Sequence, residues 1–286
     1  MQDTERKTLL PASASVFMNT AEDGKVMLNS PALPKKKEPN RRKTVSTEVV
    51  LAEEILRVSK LPAMVKRFDS KVFSDDFLLA LQFQESRFNE KAVSSEGAQG
   101  KFQVMPVAIQ AVVEYLEFLH GKKDGLSDYS GPQKISLSMA KKIGNLFEKN
   151  SQYDKAIGMI YLLLIYDKDY YLNQSPNRDV FRKKSIREQQ RLLLYSYQAG
   201  PGYRLTPGKA LASSREYAQN IFCFMDTIKK LRSELHKNSY PKHKINLAII
   251  EILRKADREG ENLVKKRVDS RWSSLMAQKA KENFSA

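Results

Sequence analysis

From Thr47 onward, apolar residues recur at helical spacing, and this period constrains the fold more than any other feature of the chain. Val49, Val50, Leu51, Ile55, Leu56 and Val58 fall on one side of a helix that turns once per 3.6 residues. Ser46 or Thr47 stands where a capping hydroxyl is wanted. Similar patterns return at about 75–86, 106–119, 135–148, 153–170, 185–198 and 213–235, separated by segments carrying Gly, Pro, Asn or Ser. No long alternating pattern competes with them, so the predicted class is mainly α. The segment 94–104 departs from the rule. Gly97 and Gly100 interrupt the helical spacing between two helices there, which predicts a tightly turning loop with a short hairpin.

The flanks read differently. Residues 1–45 hold Pro11, Pro31, Pro34 and Pro39 among many Ser, Asn and Lys, and show no sustained period, the signature of a disordered arm. Its basic cluster from Pro34 to Lys43 reads as a solvated tail, with a nuclear signal or a nucleic-acid contact as the alternatives. Residues 46–235 form the predicted folded domain. Residues 236–286 begin with a basic linker and continue into a stretch with Ile245, Leu247, Ile249, Ile250, Ile252 and Leu253, the pattern of an amphipathic helix with a basic polar face. Two readings of that helix stand side by side: docking to an anionic surface, and packing on the main domain.

The formal net charge of +16 over 286 residues excludes an acidic solvating protein and predicts attraction to a polyanion: nucleic acid, an anionic membrane face or an anionic wall polymer. Half of that excess lies in residues 229–286, where 15 Lys and Arg face 7 Asp and Glu. No apolar run approaches the roughly 20 residues of a membrane-spanning helix, so the chain is not read as transmembrane. One cysteine, Cys223, excludes an internal disulfide and a cysteine-rich metal cluster. Three histidines, two of them in a Lys-rich stretch, argue against a His metal centre or a serine triad. The opening MQDTERKT is polar, and the following LLPASASVFM is too short and interrupted for a secretory leader.

A carboxyl group is the first candidate for chemistry. Glu85 closes a helix whose Phe77, Leu78, Leu79, Leu81 and Phe83 are apolar. A carboxyl at the point where an apolar helix breaks into a polar turn can have a raised pKa and hold its proton near neutrality, as a general acid requires. Beyond it the chain reads ESRFNEKAVSSEGAQGKFQVMP, and about ninety residues later YQAGPG. In this order and spacing the sequence resembles the soluble lytic transglycosylase family, whose catalytic domain is lysozyme-like. Ala156–Leu162 is similar to that family's Gly-x-x-Tyr-Leu helix, and Arg215-Glu216-Tyr217 to its closing Arg-x-Tyr element. The resemblance spans roughly residues 60–230. The chain departs from the family pattern at Glu90 in place of Pro, at Lys101-Phe102 in place of Leu-Met, at Gln198 in place of Asn, and in a longer stretch from Pro106 to Gly158.

The resemblance implies a role for each matched position. Glu85 is the single catalytic acid and base, Ser94 and Gln103 hydrogen-bond the sugar near the scissile bond, Met105 packs on a sugar ring, and Tyr197 brings its hydroxyl close to Glu85. It also implies the substrate and the product: peptidoglycan glycan strands, cut between N-acetylmuramic acid and N-acetylglucosamine to leave 1,6-anhydromuramyl ends. With one carboxyl where most glycosidases use two, the substrate's own 2-acetamido group supplies the missing nucleophile, and the reaction so implied uses no metal and no organic cofactor. The alternatives are a lysozyme-type hydrolase on the same fold and a non-catalytic wall-binding assembly protein. Specific nucleic-acid binding explains neither motif. The substrate places the expected site of action in the periplasm or cell envelope. The routes considered are a start site upstream of this one, delivery by an envelope-spanning secretion machine, and packaging in a phage particle.

Overall fold

The computed structural model describes residues 45–121, 126, 129–167, 183–199 and 212–259. The arm at 1–44 with its Pro34–Lys43 cluster, the Gly200–Gly202 end of the YQAGPG turn, and residues 260–286 lie outside the described residues. Nine α-helices are described: α1 (Thr47–Ser59), α2 (Pro62–Val65), α3 (Asp75–Ser86), α4 (Pro106–His120), α5 (Leu137–Gly144), α6 (Ser151–Tyr166), α7 (Ile186–Ala199), α8 (Ala212–Lys237) and α9 (Ile245–Arg258). No strand accompanies them among the described residues. The nearest approach is a pair of isolated antiparallel bridges, Val93 with Gln99 and Gln99 with Val104, which make the short hairpin expected at 94–104. The fold is mainly α, as the periodicity predicts.

Local chemistry fixes the helix starts. Ser74 caps α3 by accepting the Phe77 amide at 3.4 Å, and Asp75 and Asp76 sit in the first turn, where a negative charge meets the positive end of the helix dipole. Ser136 caps α5 and Asn150 caps α6 in the same way. Pro106 opens α4 at a position whose amide would have no intrahelical acceptor. The stretch from Pro106 to Gly158, longer than the family pattern, is occupied by α4, α5 and the first half of α6.

One continuous apolar core joins these elements. α6 lies at its centre, packed against α1, α4 and α7, with eleven of its sixteen residues buried. A helix apolar on nearly every side must be an interior one. α3 packs lengthwise on α8, with Phe83 edge-on to Phe224 at 4.9 Å between centroids. α9 packs on α8 and buries Ile245, Ala248, Ile249, Ile252, Leu253 and Ala256 in the same core. The apolar face of the C-terminal helix is thus spent on the domain, which leaves its basic face outward.

Candidate active site

Glu85 lies in the last turn of α3, one residue before the helix ends. The chain then passes through two consecutive left-handed residues, Arg87 at φ 53° and Phe88 at φ 61°. Neither is glycine, so this backbone is strained by roughly 1–3 kcal/mol per residue and must be held from outside. Several groups hold it. The Arg87 guanidinium lies over the Phe83 ring at 4.5 Å and donates to the Phe83 carbonyl at 2.6 Å. Arg254 of α9 donates to the Phe88 carbonyl at 2.5 Å, and Arg87 meets Asp257 of α9 at 3.2 Å.

The Glu85 carboxyl is largely enclosed. Burial pushes its pKa up to about 7, partly offset by the Tyr217 hydroxyl, which donates to Oε1. A carboxylic acid with this pKa is well populated in both forms at neutral pH, which is what donating and then recovering a proton demands. Tyr217 sits near the start of α8, and the long packing of α3 on α8 delivers its phenol. Burial and the neighbouring Glu85 charge push the Tyr217 phenol well above its ordinary range, so it remains a donor.

Tyr197, expected to bring its hydroxyl close to Glu85, lies at the end of α7. Its hydroxyl donates to the Phe102 carbonyl, and its ring leans on Tyr161 at 5.5 Å between centroids. It is still near enough for the Glu85 charge to help raise its pKa. Sequence reasoning quoted Tyr217 within Arg215-Glu216-Tyr217 but gave it no role at the carboxyl. The signal available was that element itself, a tyrosine closing the family pattern at the start of a helix.

The hairpin carries the remaining candidates. Ser94 Oγ accepts the Ala98 amide at 2.9 Å, which closes the turn that Gly97 permits at φ +86°. Gln103, at φ 47°, donates its side-chain amide to the carbonyls of Gly100 at 2.9 Å and Ala92 at 3.2 Å. Both side chains thus support the loop. Met105 is half-buried at the N-terminal edge of α4, against the core. Tyr197 and Ser86, the neighbour of Glu85, meet the loop at the adjacent Phe102 and Lys101 carbonyls, while Ser94 and Gln103 go to the shape of the loop.

Two departures from the family pattern answer each other. Lys101 Nζ meets Glu90 Oε1 at 2.5 Å, so the charge added at one position is paired at the other. Phe102 is buried against Gly158 of α6, where a Cβ would come within 2.5 Å of the Phe102 ring. An aromatic side chain here needs a helix with no side chain opposite, and Gly158 supplies it. Among the described residues no group of three or more His, Cys, Asp or Glu is arranged to hold a metal ion.

Residues 66–165 match the family model of the transglycosylase SLT domain. Those residues therefore form an SLT-type, lysozyme-like domain. The matched stretch contains Glu85, Ser94, Gln103 and Met105 and stops before Tyr197 and Tyr217, both of which the motif resemblance over 60–230 includes. Comparison with curated proteins and with solved structures gives no match. No helix among the described residues is long and apolar enough to cross a membrane.

Proposed function

We propose that this protein is a peptidoglycan lytic transglycosylase in which Glu85 is the sole acid and base. The observation that supports it best is one enclosed carboxyl with a pKa near 7 inside the matched domain. Protonated Glu85 gives its proton to the oxygen joining N-acetylmuramic acid to N-acetylglucosamine, and the C1–O bond breaks as the N-acetylglucosamine end leaves as an alcohol. The muramyl 2-acetamido oxygen attacks C1 and holds the positive charge as an oxazolinium. The Glu85 carboxylate then removes the proton from the muramyl 6-hydroxyl, whose oxygen closes onto C1 and releases the acetamido group. The product is a 1,6-anhydromuramyl end, Glu85 is again protonated, and no water is consumed.

Tyr217 moderates the acid. Its phenol favours the carboxylate left after the first proton transfer, which keeps the pKa from rising so high that the second step loses its base. Tyr197 and the hairpin form the wall on which the sugar would rest, with Ser94 and Gln103 shaping it and Met105 at its edge. The net charge of +16 suits a protein that works on an anionic envelope polymer, either alone or at an envelope-spanning secretion or phage assembly.

The deciding experiment is digestion of purified sacculi followed by mass spectrometry of the muropeptides. Wild-type protein is expected to release anhydro ends, and Glu85→Gln, folded by circular dichroism, to release none. Reducing ends, heavier by one water, would identify a hydrolase instead. Binding without any release would identify a wall-binding protein.

A further inference from the structure

A second buried carboxyl stands behind the hairpin and takes no part in the proton transfers. Asp154, in the first turns of α6, is 1% exposed. Its Oδ2 accepts the Lys101 amide at 2.7 Å, and the Phe102 amide also favours its charged form. Its Oδ1 is buried with no hydrogen-bond partner. The loop comes this close only because residue 100 is glycine. A Cβ on Gly100, at φ +78°, would lie 2.6 Å from the Asp154 carboxyl.

The two residues gripped by Asp154 are also gripped from two other helices. Ser86 Oγ, next to Glu85 on α3, donates to the Lys101 carbonyl at 3.0 Å. Tyr197 of α7 donates to the Phe102 carbonyl. Three helices thus converge on one dipeptide beside the acid, and Asp154 supplies the grip that carries charge. A buried carboxylate is costly to hold, and a fold that needed only an acceptor here would do as well with an uncharged amide.

We infer that Asp154 is a positioning residue, whose carboxyl clamps the Gly97–Phe102 loop onto α6 and so sets where the Phe102 carbonyl meets Tyr197 beside Glu85. The part of this that concerns catalysis rests on the transglycosylase reading, whereas the clamp itself does not. The two amides and the Lys101 ammonium reward the Asp154 charge but burial penalises it more, so the closed clamp is tighter while Asp154 is protonated. The ionisable groups facing it are Lys101 and Glu90 from the loop and Tyr197 from α7. Burial and Glu90 push its pKa up and the Lys101 ammonium and the two amides push it down, leaving it at about 6. Because an opened clamp returns Asp154 to water and its ordinary value of 3.8, the clamp loosens as pH rises through about 6. Ionisation of Asp154 and of Glu85 then lowers activity in the same direction, so the rate should decline from about pH 6 and further past about 7.

The test compares full-length wild type, Asp154→Asn and Asp154→Ala by hydrogen exchange at the Lys101 and Phe102 amides and by release of anhydro muropeptides, from pH 5 to 8. Wild-type protection factors at these amides should rise roughly tenfold from pH 8 to pH 5. Asp154→Asn, which cannot ionise, should sit at the wild-type pH 5 level throughout and lose the decline in activity near pH 6 while keeping the one near 7. Asp154→Ala should lose protection and turn over at least about tenfold more slowly at pH 7, as expected for a displaced catalytic wall. Should the alanine variant fail to fold, the asparagine variant, equal in volume, carries the test. Amide protection in Asp154→Asn that still varies with pH, a persisting decline near pH 6 in that variant, or lost protection in Asp154→Ala with undiminished turnover would each overturn the inference. A wild type that releases no anhydro ends would instead remove the transglycosylase reading, and the exchange data would still judge the clamp.

Discussion

In the proposed reaction Glu85 gives up a proton near neutrality; enclosure is what would keep it protonated there, and Tyr217 restrains the rise. Because the phenol stabilises the charged form, Tyr217→Phe should raise the Glu85 pKa and move the alkaline limb of the rate profile to higher pH. The maximal rate should drop several-fold, since the base of the second step loses its orienting donor. Rates of anhydro-end release from pH 6 to 9 check this, and a limb that stays in place would mean that Tyr217 is only packing. Glu85 drew attention at the end of an apolar helix run, but what singled it out was the resemblance of the ESRFNEKAVSSEGAQGKFQVMP and YQAGPG blocks to the lytic transglycosylases, since a glutamate at a helix end is by itself usually a surface residue. Which tyrosine reaches Glu85 was not legible. Tyr197 and Tyr217 both lie after the hairpin in the chain, and only the packing of α8 along α3 decides that the second phenol meets the carboxyl. Asp154 was hidden for a related reason: a lone aspartate among helical residues reads as solvent-facing until a neighbouring glycine lets two amides reach it.

At the scale of elements, the turn after Glu85 depends on a helix that lies outside the matched domain. Two left-handed non-glycine residues in a row do not persist unaided, and α9 contributes Arg254 to the Phe88 carbonyl and Asp257 to Arg87. Arg254→Ala removes a charged donor from a carbonyl beside the core and should destabilise the fold by about 1–3 kcal/mol. Urea unfolding at pH 7 measures it, and activity in the absence of denaturant should fall with it as the turn carrying Glu85 loosens. A neutral result in both would show that the core alone holds the turn. The helices themselves were legible as apolar periodicity, and the hairpin as two glycines between helical runs. The bracing by α9 was not, because an amphipathic pattern tells that a face will be buried and not against what. Its excess of Lys and Arg drew attention to outside partners, while the apolar face closed the domain and one arginine fastened the active-site turn.

For the whole molecule, two enclosed carboxyls make stability depend on pH in a direction opposite to that of ordinary surface acids. In Glu85 the folded pKa of about 7 exceeds the usual 4.5, and in Asp154 about 6 exceeds 3.8. Between the unfolded and folded values the native protein holds protons that the unfolded chain has released, so stability falls as pH rises through that window. The contribution is fully present below about 4 and gone above about 7, and each group accounts for roughly 2–3 kcal/mol, the partial exposure of Glu85 included. Glu85→Gln cannot ionise and keeps an acceptor for Tyr217. At pH 8 it should therefore melt roughly 5–10 °C above wild type, and the gap should close as pH approaches 4.5. Thermal unfolding of the two proteins across that range checks the prediction. The enclosure that lets Glu85 act as an acid is thus a standing cost to the fold at neutral pH, and a variant that gains no stability there would show the carboxyl to be open to water and the acid assignment unsupported.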